Sequence, residues 1–396
     1  MTSTGKLSSF QKIQRFEKYV LSFRLIDSNV AYANTLRRVM LCEVPSVGFR
    51  AEILKDGTTS DVKILQNTTA MSNEMFAHRI GLILINADPD GWDSDKYEFY
   101  LKVENTTDIA LDVKVSDIVV YDISQGEKTQ VANTKFFLPD PISKDTALLA
   151  VLKPKIGNST VEAIEFRAKA TVGNGKENIR FSPTSQCSYS YTRDENVEKR
   201  TKIFTNWLDQ HKKISIDDLE ADSDRKAMLE REFETMEAAR CYVTNEKNEP
   251  SSFDFIVESV GALDPYKIVT EALKVLEKKC FAYSAIHTKI PENVKIQPTK
   301  KEARGFDIYF QEEDHTLGNL FTTWMDENML DVNGITEGYI SYCGYCVPHP
   351  LRDEMLITIL TKDETDSTCR KVLAKAAEST GKMFSAWREA FLREKI

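Results

Sequence analysis

Three things that this sequence lacks narrow the class of protein before any motif is considered. No apolar run approaches the roughly 18 residues that a membrane-spanning helix requires. The first residues, MTSTGKLSSFQKIQRFEKY, contain no apolar core of the kind that defines a signal peptide. An excess of basic charge is also missing, because the formal net charge is −9. We therefore expect an intracellular protein without membrane contact that meets DNA only indirectly, since tight binding to phosphates needs many lysines and arginines.

Cysteine is scarce as well, and its distribution argues against a metal centre. The seven cysteines are scattered, and the sequence holds a single C-x-x-C, formed by Cys343 and Cys346. His349 follows closely, so a zinc site and a redox pair are both open alternatives. However, residues three apart on a strand point to opposite faces, and no second ligand pair lies nearby. We expect no metal and no cofactor, with the cysteines serving mostly as small buried apolar side chains.

The residues that are present predict a globular α+β chain of two or three domains. The 396 residues are 41% hydrophobic and 29% charged, which is sufficient for substantial cores. Alternating apolar residues predict a strand over residues 16–25, and VAYANTLRRVMLCEVP predicts a helix that Pro45 ends. Period-two alternation over about residues 47–172 predicts a sheet-rich middle, interrupted by a short helix in MSNEMFAHRIGLILI. In GALDPYKIVTEALKVLEKK, Asp264 is the predicted cap and Pro265 the first helical residue.

A similar order of elements returns near the end of the chain, after a predicted linker over residues 291–304. Residues 306–310 alternate as a strand, and EEDHTLGNLFTTWMDEN predicts a helix with Asp314 as its cap. Strands are predicted over residues 340–347 and 355–360, and a long amphipathic helix follows. Each half therefore offers strand, helix, strand and amphipathic helix, with ANTL of the first half corresponding to GNLF of the second.

The two closing helices each carry an apolar stripe that their own half of the chain is too small to cover. Such a stripe is typical of a helix that packs against a partner helix. We therefore expect the two halves to pair within one chain, helix against helix. The residues predicted to take part in this intrachain pairing are Leu273, Leu276, His315, Asn319, Met383, Phe384 and Trp387.

Residues 198–237 differ from the rest of the chain because nearly half of them are charged, with both signs present. This pattern favours an exposed, partly helical excursion. An arm that contacts a partner protein is the alternative.

Six motifs occur in order along nearly the whole chain. Four lie in the first half: ANTLRRVMLCEVPSVG (33–48), NEMFAHRIGLI (73–83), GKENIRFSP (175–183) and FIVESVGALDPYKIVTEAL (255–273). Two lie in the second half: EEDHTLGNL (312–320) and YCGYCVPHPL (342–351). The first four resemble the larger α-like subunit of cellular multi-subunit RNA polymerases, and the last two resemble the smaller α-like subunit. The presence of both in one polypeptide resembles the arrangement in some large DNA viruses of eukaryotes, which implies a viral origin.

The resemblance implies two RNA-polymerase-α-like dimerisation modules that pair within one chain, with a β-rich domain inserted in the first. The implied limits are residues 1–50 and 251–290 for the discontinuous first module, 51–250 for the insert with its charged excursion 198–237, 291–304 for the linker, and 305–396 for the second module. Cellular larger subunits often carry a metal-binding cysteine cluster in the insert. The corresponding stretch NADPDGWDSDKYEF has no cysteine, so we expect no metal there.

By resemblance, the chain is a non-catalytic assembly platform of a DNA-directed RNA polymerase, and the catalytic residues belong to the largest subunit. The implied partners are the largest and second-largest subunits and a small zinc-binding subunit. The residues implied at subunit interfaces are Asn34, Arg37, Arg38, Glu43, His78 and Arg79. The implied place of action is the cytoplasmic viral factory or the nucleus of an infected cell, with packaging in the virion as a further option.

Other functions find less support in the residues. A hydrolase would use Asp314 and His315 as an acid–base pair, but neighbours at a helix start seldom face each other, and no G-x-S-x-G motif is present. Arg37 and Arg38 could contact phosphates, although pairing with a carboxylate of a protein partner suits an acidic chain better. A stand-alone protein-binding scaffold unrelated to transcription is the alternative function.

Overall fold

The computed structural model describes residues 9–52, 61–124, 126–215, 223–237, 240–299, 305–330 and 340–394. Within these ranges, no helix has both the length and the apolar character needed to cross a membrane. The predicted α+β class is confirmed, because long helices and antiparallel sheets alternate along the chain.

The helices of the described residues are α1 (Val30–Cys42), α2 (Asn73–Gly81), α3 (Val197–Trp207), α4 (Ser223–Met236), α5 (Pro265–Ala282), α6 (His315–Met329) and α7 (Asp366–Arg393). Their ends follow ordinary capping chemistry. Asp264 accepts a hydrogen bond from the backbone N–H of Tyr266, and Asp314 accepts one from Thr316. The predicted caps of both helices are therefore confirmed.

The strands of the described residues are β1 (Phe10–Glu17), β2 (Val20–Ile26), β3 (Pro45–Gly48), β4 (Val62–Asn67), β5 (Tyr97–Asn105), β6 (Leu111–Lys114), β7 (Val119–Asp122), β8 (Thr129–Val131), β9 (Leu148–Leu152), β10 (Glu162–Ala168), β11 (Thr171–Asn174), β12 (Thr184–Tyr191), β13 (Ser252–Ser259), β14 (Val294–Pro298), β15 (Phe306–Gln311), β16 (Ile340–Cys346) and β17 (Glu354–Thr361). The single strand predicted over residues 16–25 is corrected: β1 and β2 form an antiparallel hairpin that turns between Glu17 and Val20.

The chain divides into two compact units. The larger unit takes its described residues from Met1–Arg38, Cys187–Ile256 and Leu273–Ile396, and the smaller unit from Val39–Gln186 and Val257–Ala272. The limits fall inside α1, β12, β13 and α5, so they differ from the domain limits that the sequence suggested. The reason is that the second half of α5 is buried together with the C-terminal module.

The predicted internal repeat is present as a repeated topology. One four-stranded sheet has the order β1-β2-β13-β12, and another has the order β14-β15-β17-β16. When the strands of each sheet are numbered in chain order, both sheets have the spatial order first, second, fourth, third. A helix follows the second strand (α1 and α6), and a helix follows the fourth strand (α5 and α7). We call β1, β2, α1, β12, β13 and α5 the first module, and β14–β17, α6 and α7 the second module.

Long insertions in the first module occur at two points of this repeat. Between α1 and β12 the chain forms the β-rich domain of the smaller unit, whose main sheet has the order β4-β10-β5-β7-β8. Phe99, Leu101 and Phe166 from this sheet are fully buried, as their alternation predicted. Phe76 and Ile80 of α2 complete the same core. Between β12 and β13 the chain forms the helical excursion of α3 and α4, where the second module has only the turn at residues 347–353.

The charged excursion has a small core of its own. Phe204 and Trp207 of α3 pack against Phe233 of α4, with ring centroids 5.1 and 5.6 Å from the Phe233 ring. Leu208 and Leu229 are buried beside them. The expected partly helical character is therefore confirmed for the described part, whereas residues 216–222 lie outside the described residues. This core explains how a stretch with so many charges can hold two helices.

The predicted linker over residues 291–304 is corrected in part. Val294–Pro298 form β14, which pairs antiparallel with β15 from Val294 opposite Phe310 to Pro298 opposite Phe306. Pro291 precedes this strand, and Pro298 is compatible with its end because β14 lies at the edge of the sheet. Residues 300–304 lie outside the described residues.

We predict that Phe233→Ala loosens the helical excursion without affecting the sheets. Removing a buried phenylalanine ring costs about 3–5 kcal/mol through lost packing and cavity formation. Hydrogen exchange should accelerate across α3 and α4 while β5 and β10 stay protected. Met236→Ala on the same helix is the control, because that side chain is 68% exposed, and it should leave exchange unchanged. Equal exchange in Phe233→Ala and the wild type would contradict the packing of Phe233 against α3.

Candidate pairing interface and docking surface

The contacts that join the two modules lie within the larger unit, and the close approach of α5 and α7 is the first of them. Leu273, Leu276 and Phe384 are almost fully buried, and Trp387 is 6% exposed. Gly381 of α7 lies against the ring of Phe281, and a Cβ at that position would be 3.0 Å from the ring. The glycine leaves room for this ring, because a larger side chain would require Phe281, which is 36% exposed, to shift.

The last turns of α7 extend beyond α5 onto the first sheet. The ring of Phe391 lies 5.1 Å from Phe10 of β1 and 5.8 Å from Phe23 of β2. Trp387 adds an edge-on contact, with its centroid 6.0 Å from that of Phe10. Each aromatic pair of this kind contributes about 0.5–1.5 kcal/mol beyond the burial of its area. The end of the apolar stripe, at Trp387 and Phe391, is thus covered by the first module, whereas Met383 is only half-buried.

A second contact joins α1 to α6 through polar side chains. Nε of Arg38 donates to Oγ1 of Thr316 at 2.8 Å, and Nη2 lies 3.5 Å from Oδ2 of Asp314. At the other end, Nδ2 of Asn29 donates to Oε1 of Glu327 at 2.7 Å, and the hydroxyl of Tyr32 donates to Oε2 at 2.8 Å. Burial, together with the bond to Glu327, raises the pKa of Tyr32, which therefore stays a donor.

A buried ion pair lies between the modules. Nζ of Lys279, on α5, is 2.9 Å from Oε2 of Glu313, the residue before the α6 cap. The Lys279 and Glu313 side chains are only 16% and 9% exposed. The hydroxyl of Tyr283 lies 3.1 Å from Oε1 of the same carboxylate, and Asn293 donates to that hydroxyl. Burial, followed by the nearby Glu313, raises the pKa of Tyr283 to about 12. Sequence reasoning missed this pair because no local spacing connects residues on separate modules.

Two of the residues predicted for subunit docking line a surface cleft. Asn34 and Arg37, on α1, face residues 187–191 of β12 across a cleft of about 520 Å³. Nε of Arg37 donates to Oδ1 of Asn34 at 3.0 Å, which holds the guanidinium along the helix. Burial raises the pKa of Cys187 to about 12, so this thiol is a neutral wall of the cleft. The cleft therefore presents a half-buried cation beside neutral hydroxyl and aromatic groups.

The other predicted docking residues have different environments. Arg38 contacts the second module through Thr316. Arg79 of α2 donates to the backbone carbonyls of residues 149 and 148 at 2.9 and 2.7 Å, so its guanidinium anchors β9. His78 beside it is exposed, and Glu43 is half-buried just after α1. Of these four side chains, His78 and Arg79 are exposed, and the guanidinium of Arg79 is already bonded to β9.

Two residues predicted for the intrachain pairing, His315 and Asn319, lie in the first turns of α6. His315 is exposed, and its ring lies 5.8 Å from that of Tyr345 in its own module. Asn319 is half-buried on α6. In the first turn of α6, the next residue, Thr316, reaches Arg38 instead. His315 and Thr316 have different neighbours because successive helical residues point about 100° apart, and the pairing role of His315 and Asn319 stays a prediction.

The C-x-x-C has the geometry of a strand rather than of a metal site. Cys343 is half-buried, with Sγ 3.6 Å from the carbonyl of Thr322, and burial, followed by the nearby Asp326, raises its thiol pKa to about 11. Cys346 is exposed. Nδ1 of His349 accepts a hydrogen bond from the backbone N–H of Leu351 within the turn. Across the described parts of the chain, no three or more metal-ligating side chains come together.

The fold and these contacts define a protein made of two like modules that are paired through helices. The model of the RNA polymerase Rpb3/Rpb11 dimerisation domain matches residues 22–280, and a second model with the same description matches residues 306–390. The chain belongs to the RNA polymerase Rpb3/Rpb11 dimerisation domain family and carries that domain twice. The resemblance to α-like subunits is therefore confirmed.

Curated relatives match about two thirds of the chain. The RPB3 subunit of DNA-directed RNA polymerase II from Schizosaccharomyces pombe is 26% identical over 285 residues, covering 67% of this chain and 83% of that protein. The RPAC1 subunit of DNA-directed RNA polymerases I and III from Homo sapiens is 26% identical over 300 residues, covering 66% and 79%. The Rpo3 subunit from Pyrococcus horikoshii is 23% identical over 274 residues, covering 68% and 93%.

We predict that the purified chain binds no stoichiometric zinc. Cys343 and Cys346 lie on opposite faces of β16, so they cannot share one tetrahedral ion. Elemental analysis after dialysis should give well below one zinc per chain. One zinc per chain that is lost in Cys343→Ser or Cys346→Ser would contradict this.

We also predict that the modules stay together when the chain is cut between the exposed residues Lys289 and Ile290. A cut near Lys300, which lies outside the described residues, would separate β14 from β15 and test strand pairing as well. The buried helices should hold the fragments together on size exclusion at micromolar concentration, because each buried apolar side chain contributes about 1.5–3 kcal/mol. Phe384→Asp should separate the fragments, because a buried unpaired carboxylate is costly.

The control for Phe384→Asp is Lys375→Asp, which places the same carboxylate on the exposed face of α7. The Lys375→Asp fragments should stay associated. Separation of the wild-type fragments would show that the covalent link, and not the helices, holds the modules together.

Proposed function

We propose that this chain is a non-catalytic assembly platform of a DNA-directed RNA polymerase, in which both α-like subunits are joined in one polypeptide. The observation that carries the proposal is that the family domain occurs twice in the chain. The contacts of α5 with α7 and of α1 with α6 support pairing of these two domains with each other. Covalent fusion sets a one-to-one ratio and raises the effective concentration of each module for the other, to about millimolar for a short flexible linker.

The proposal assigns no catalytic residue to this chain. Asp314, which a hydrolase would use as an acid or base, caps α6 and lies near Arg38. His315 packs edge-on against Tyr345 and is not placed between a reacting group and an orienting partner. The chemistry of RNA synthesis would thus belong to the largest subunit of the complex.

The proposed partners are the largest and second-largest polymerase subunits and a small zinc-binding subunit. We assign the second-largest subunit to the cleft of Asn34 and Arg37 and to the exposed face of α2 with His78. The planar guanidinium of Arg37 suits a carboxylate from a partner, because its N–H groups match two oxygens at once. Met75 and Leu82, which are 62% and 52% exposed, add apolar surface beside His78. DNA would be reached only through the assembled complex.

The proposal extends to a viral origin. A single chain with both α-like modules matches the arrangement in some large DNA viruses of eukaryotes. The chain would then act in the cytoplasmic factory or the nucleus of an infected cell and could be packaged in virions. Purification of the tagged chain from its native source, followed by identification of co-purifying subunits, tests the whole proposal. Recovery without any polymerase subunit would favour the stand-alone scaffold.

We predict that Arg37→Ala and Arg38→Ala have different effects. Arg37→Ala should leave the melting temperature unchanged and weaken incorporation into the polymerase, because truncating one partner of a desolvated charge pair costs about 2–5 kcal/mol. Arg38→Ala should also lower stability, by about 1 kcal/mol, because its half-exposed contacts with Thr316 and Asp314 are lost. Calorimetry and co-purification from the native source measure the two effects.

Arg352→Ala is the matched control, because that arginine is exposed in the turn before β17 and pairs with the nearby Glu354 of its own module. It should change neither stability nor incorporation. Normal incorporation of an Arg37→Ala/Arg38→Ala double variant would remove α1 from the docking surface.

A further inference from the structure

The two modules can be compared position by position because their helices start in the same way. Asp27 and Glu312 each have a positive φ, 52° and 62°, at the end of the second strand. Ser28 then corresponds to Glu313, and the cap Asn29 to the cap Asp314. The closing helices start from Asp264 and Thr365, which follow the fourth strand in each module. Counting from these caps, the α5 and α7 positions correspond as follows: Glu277 to Glu378, Lys279 to Thr380, Cys280 to Gly381, and His287 to Arg388.

If a module met a second copy of itself, each residue would face the counterpart of its present neighbour. One set of contacts would keep its character under this exchange. Nε of Arg388 lies 2.9 Å from Oε2 of Glu277. The corresponding pair is Glu378 and His287, and the pKa of Glu378 is lowered by Lys382 and further by His287. A carboxylate is therefore stabilised by a basic side chain of the other module in both places, through a direct ion pair at Glu277 and through a weaker electrostatic interaction at Glu378. These contacts would form equally well if a module met a second copy of itself.

The buried ion pair between Lys279 and Glu313 would be lost under this exchange. If two second modules met, Glu313 would face Thr380 in place of Lys279, and a carboxylate that is now 9% exposed would lose its cation. If two first modules met, Lys279 would face Ser28 in place of Glu313. Leaving one member of a buried ion pair without its partner is strongly unfavourable, because the charge stays desolvated. Both self-pairings are therefore penalised at the same place.

The contacts of α1 with α6 add to this asymmetry. Glu327 now accepts hydrogen bonds from Asn29 and Tyr32 of the first module. Between two second modules, Asp314 would take the place of Asn29 and put a second carboxylate beside Glu327. Two neighbouring carboxylates repel each other. Because Glu327 is exposed, solvent weakens this repulsion below that of a buried pair. Between two first modules, Arg38 would meet Asn29 and lose the carboxylate of Asp314.

We propose that Lys279–Glu313, supported by Arg38–Asp314 and by Glu327 with Asn29 and Tyr32, makes each module select the other module and reject a second copy of itself. The apolar stripes supply the affinity of the pairing, and these polar contacts supply its selectivity. This selectivity would prevent copies of the chain from joining through like modules, and it does not depend on which large subunits dock.

The test uses the whole chain cut between Lys289 and Ile290, so that both modules are present but the covalent link no longer dictates the partner. After mild dissociation and re-association at equimolar amounts, native mass spectrometry counts each complex. The wild type should give only the one-to-one complex of the two fragments. Homodimers of either fragment in the wild type would overturn the proposal.

The selective variant is Glu313→Gln/Glu327→Gln, which removes the two carboxylates that penalise self-pairing of the second module. Homodimers of the second fragment should appear beside the one-to-one complex. The matched control is Glu378→Gln, since Glu378 meets a basic side chain in both arrangements, and it should give the one-to-one complex only. An exclusively one-to-one result in the selective variant would show that apolar packing alone chooses the partner, which would overturn the proposal.

Charge exchange provides a test that does not depend on homodimers. Glu313→Lys should raise the dissociation constant of the fragments by about 100-fold or more, because two buried cations then face each other. Lys279→Glu/Glu313→Lys should bring it back to within about 10-fold of the wild type, because the opposite charges are restored in exchanged positions. Unchanged affinity in Glu313→Lys, or no recovery in the double variant, would equally overturn the proposal.

Discussion

The burial of two apolar helix stripes is the constraint on which the rest of this structure depends. The apolar faces of α5 and α7 are both buried, and the end of the α7 face lies on the first module. At Gly381 the absence of a side chain leaves room for the ring of Phe281. Beyond that point, Trp387 and Phe391 of α7 lie on the aromatic rings of the first sheet. One chain thereby contains both halves of a pairing interface, and the pairing surface is internal to the protein.

The polar contacts around this apolar interface differ between the two modules. Glu277 with Arg388 follows the two-fold relation of the modules, whereas Lys279 with Glu313 breaks it. Apolar surfaces associate with little dependence on the identity of the partner, whereas a buried charge requires an opposite charge beside it. An interface that combines the two can be both strong and selective. The same distinction separates Arg38, whose charge is used between the modules, from Arg37, whose charge faces the cleft of β12.

The repeat also explains where the chain carries its additional structure. The β-rich domain and the helical excursion interrupt the first module between elements, so its four strands keep the order seen in the second module. Because each insertion has its own buried residues, it adds a core without disturbing the sheet that contains it. The excursion of α3 and α4 stands where the second module has only a short turn, and this gives the first module a surface that its counterpart lacks.

Several features were determined by the sequence alone. Local patterns are sufficient to predict an element when its residues repeat with a helical or strand period or carry a capping side chain. The stripe of α7, the caps Asp264 and Asp314, and the alternation through Phe99 and Phe166 are examples. The order of the six motifs was also sufficient to identify the family. Tertiary structure decided the rest, because it brings together residues that no spacing connects. Lys279 with Glu313, Arg38 with Thr316, and β14 inside an expected linker each depend on a neighbour from another element. A side chain's role at an interface is set by what faces it, and the sequence of one element does not contain that information.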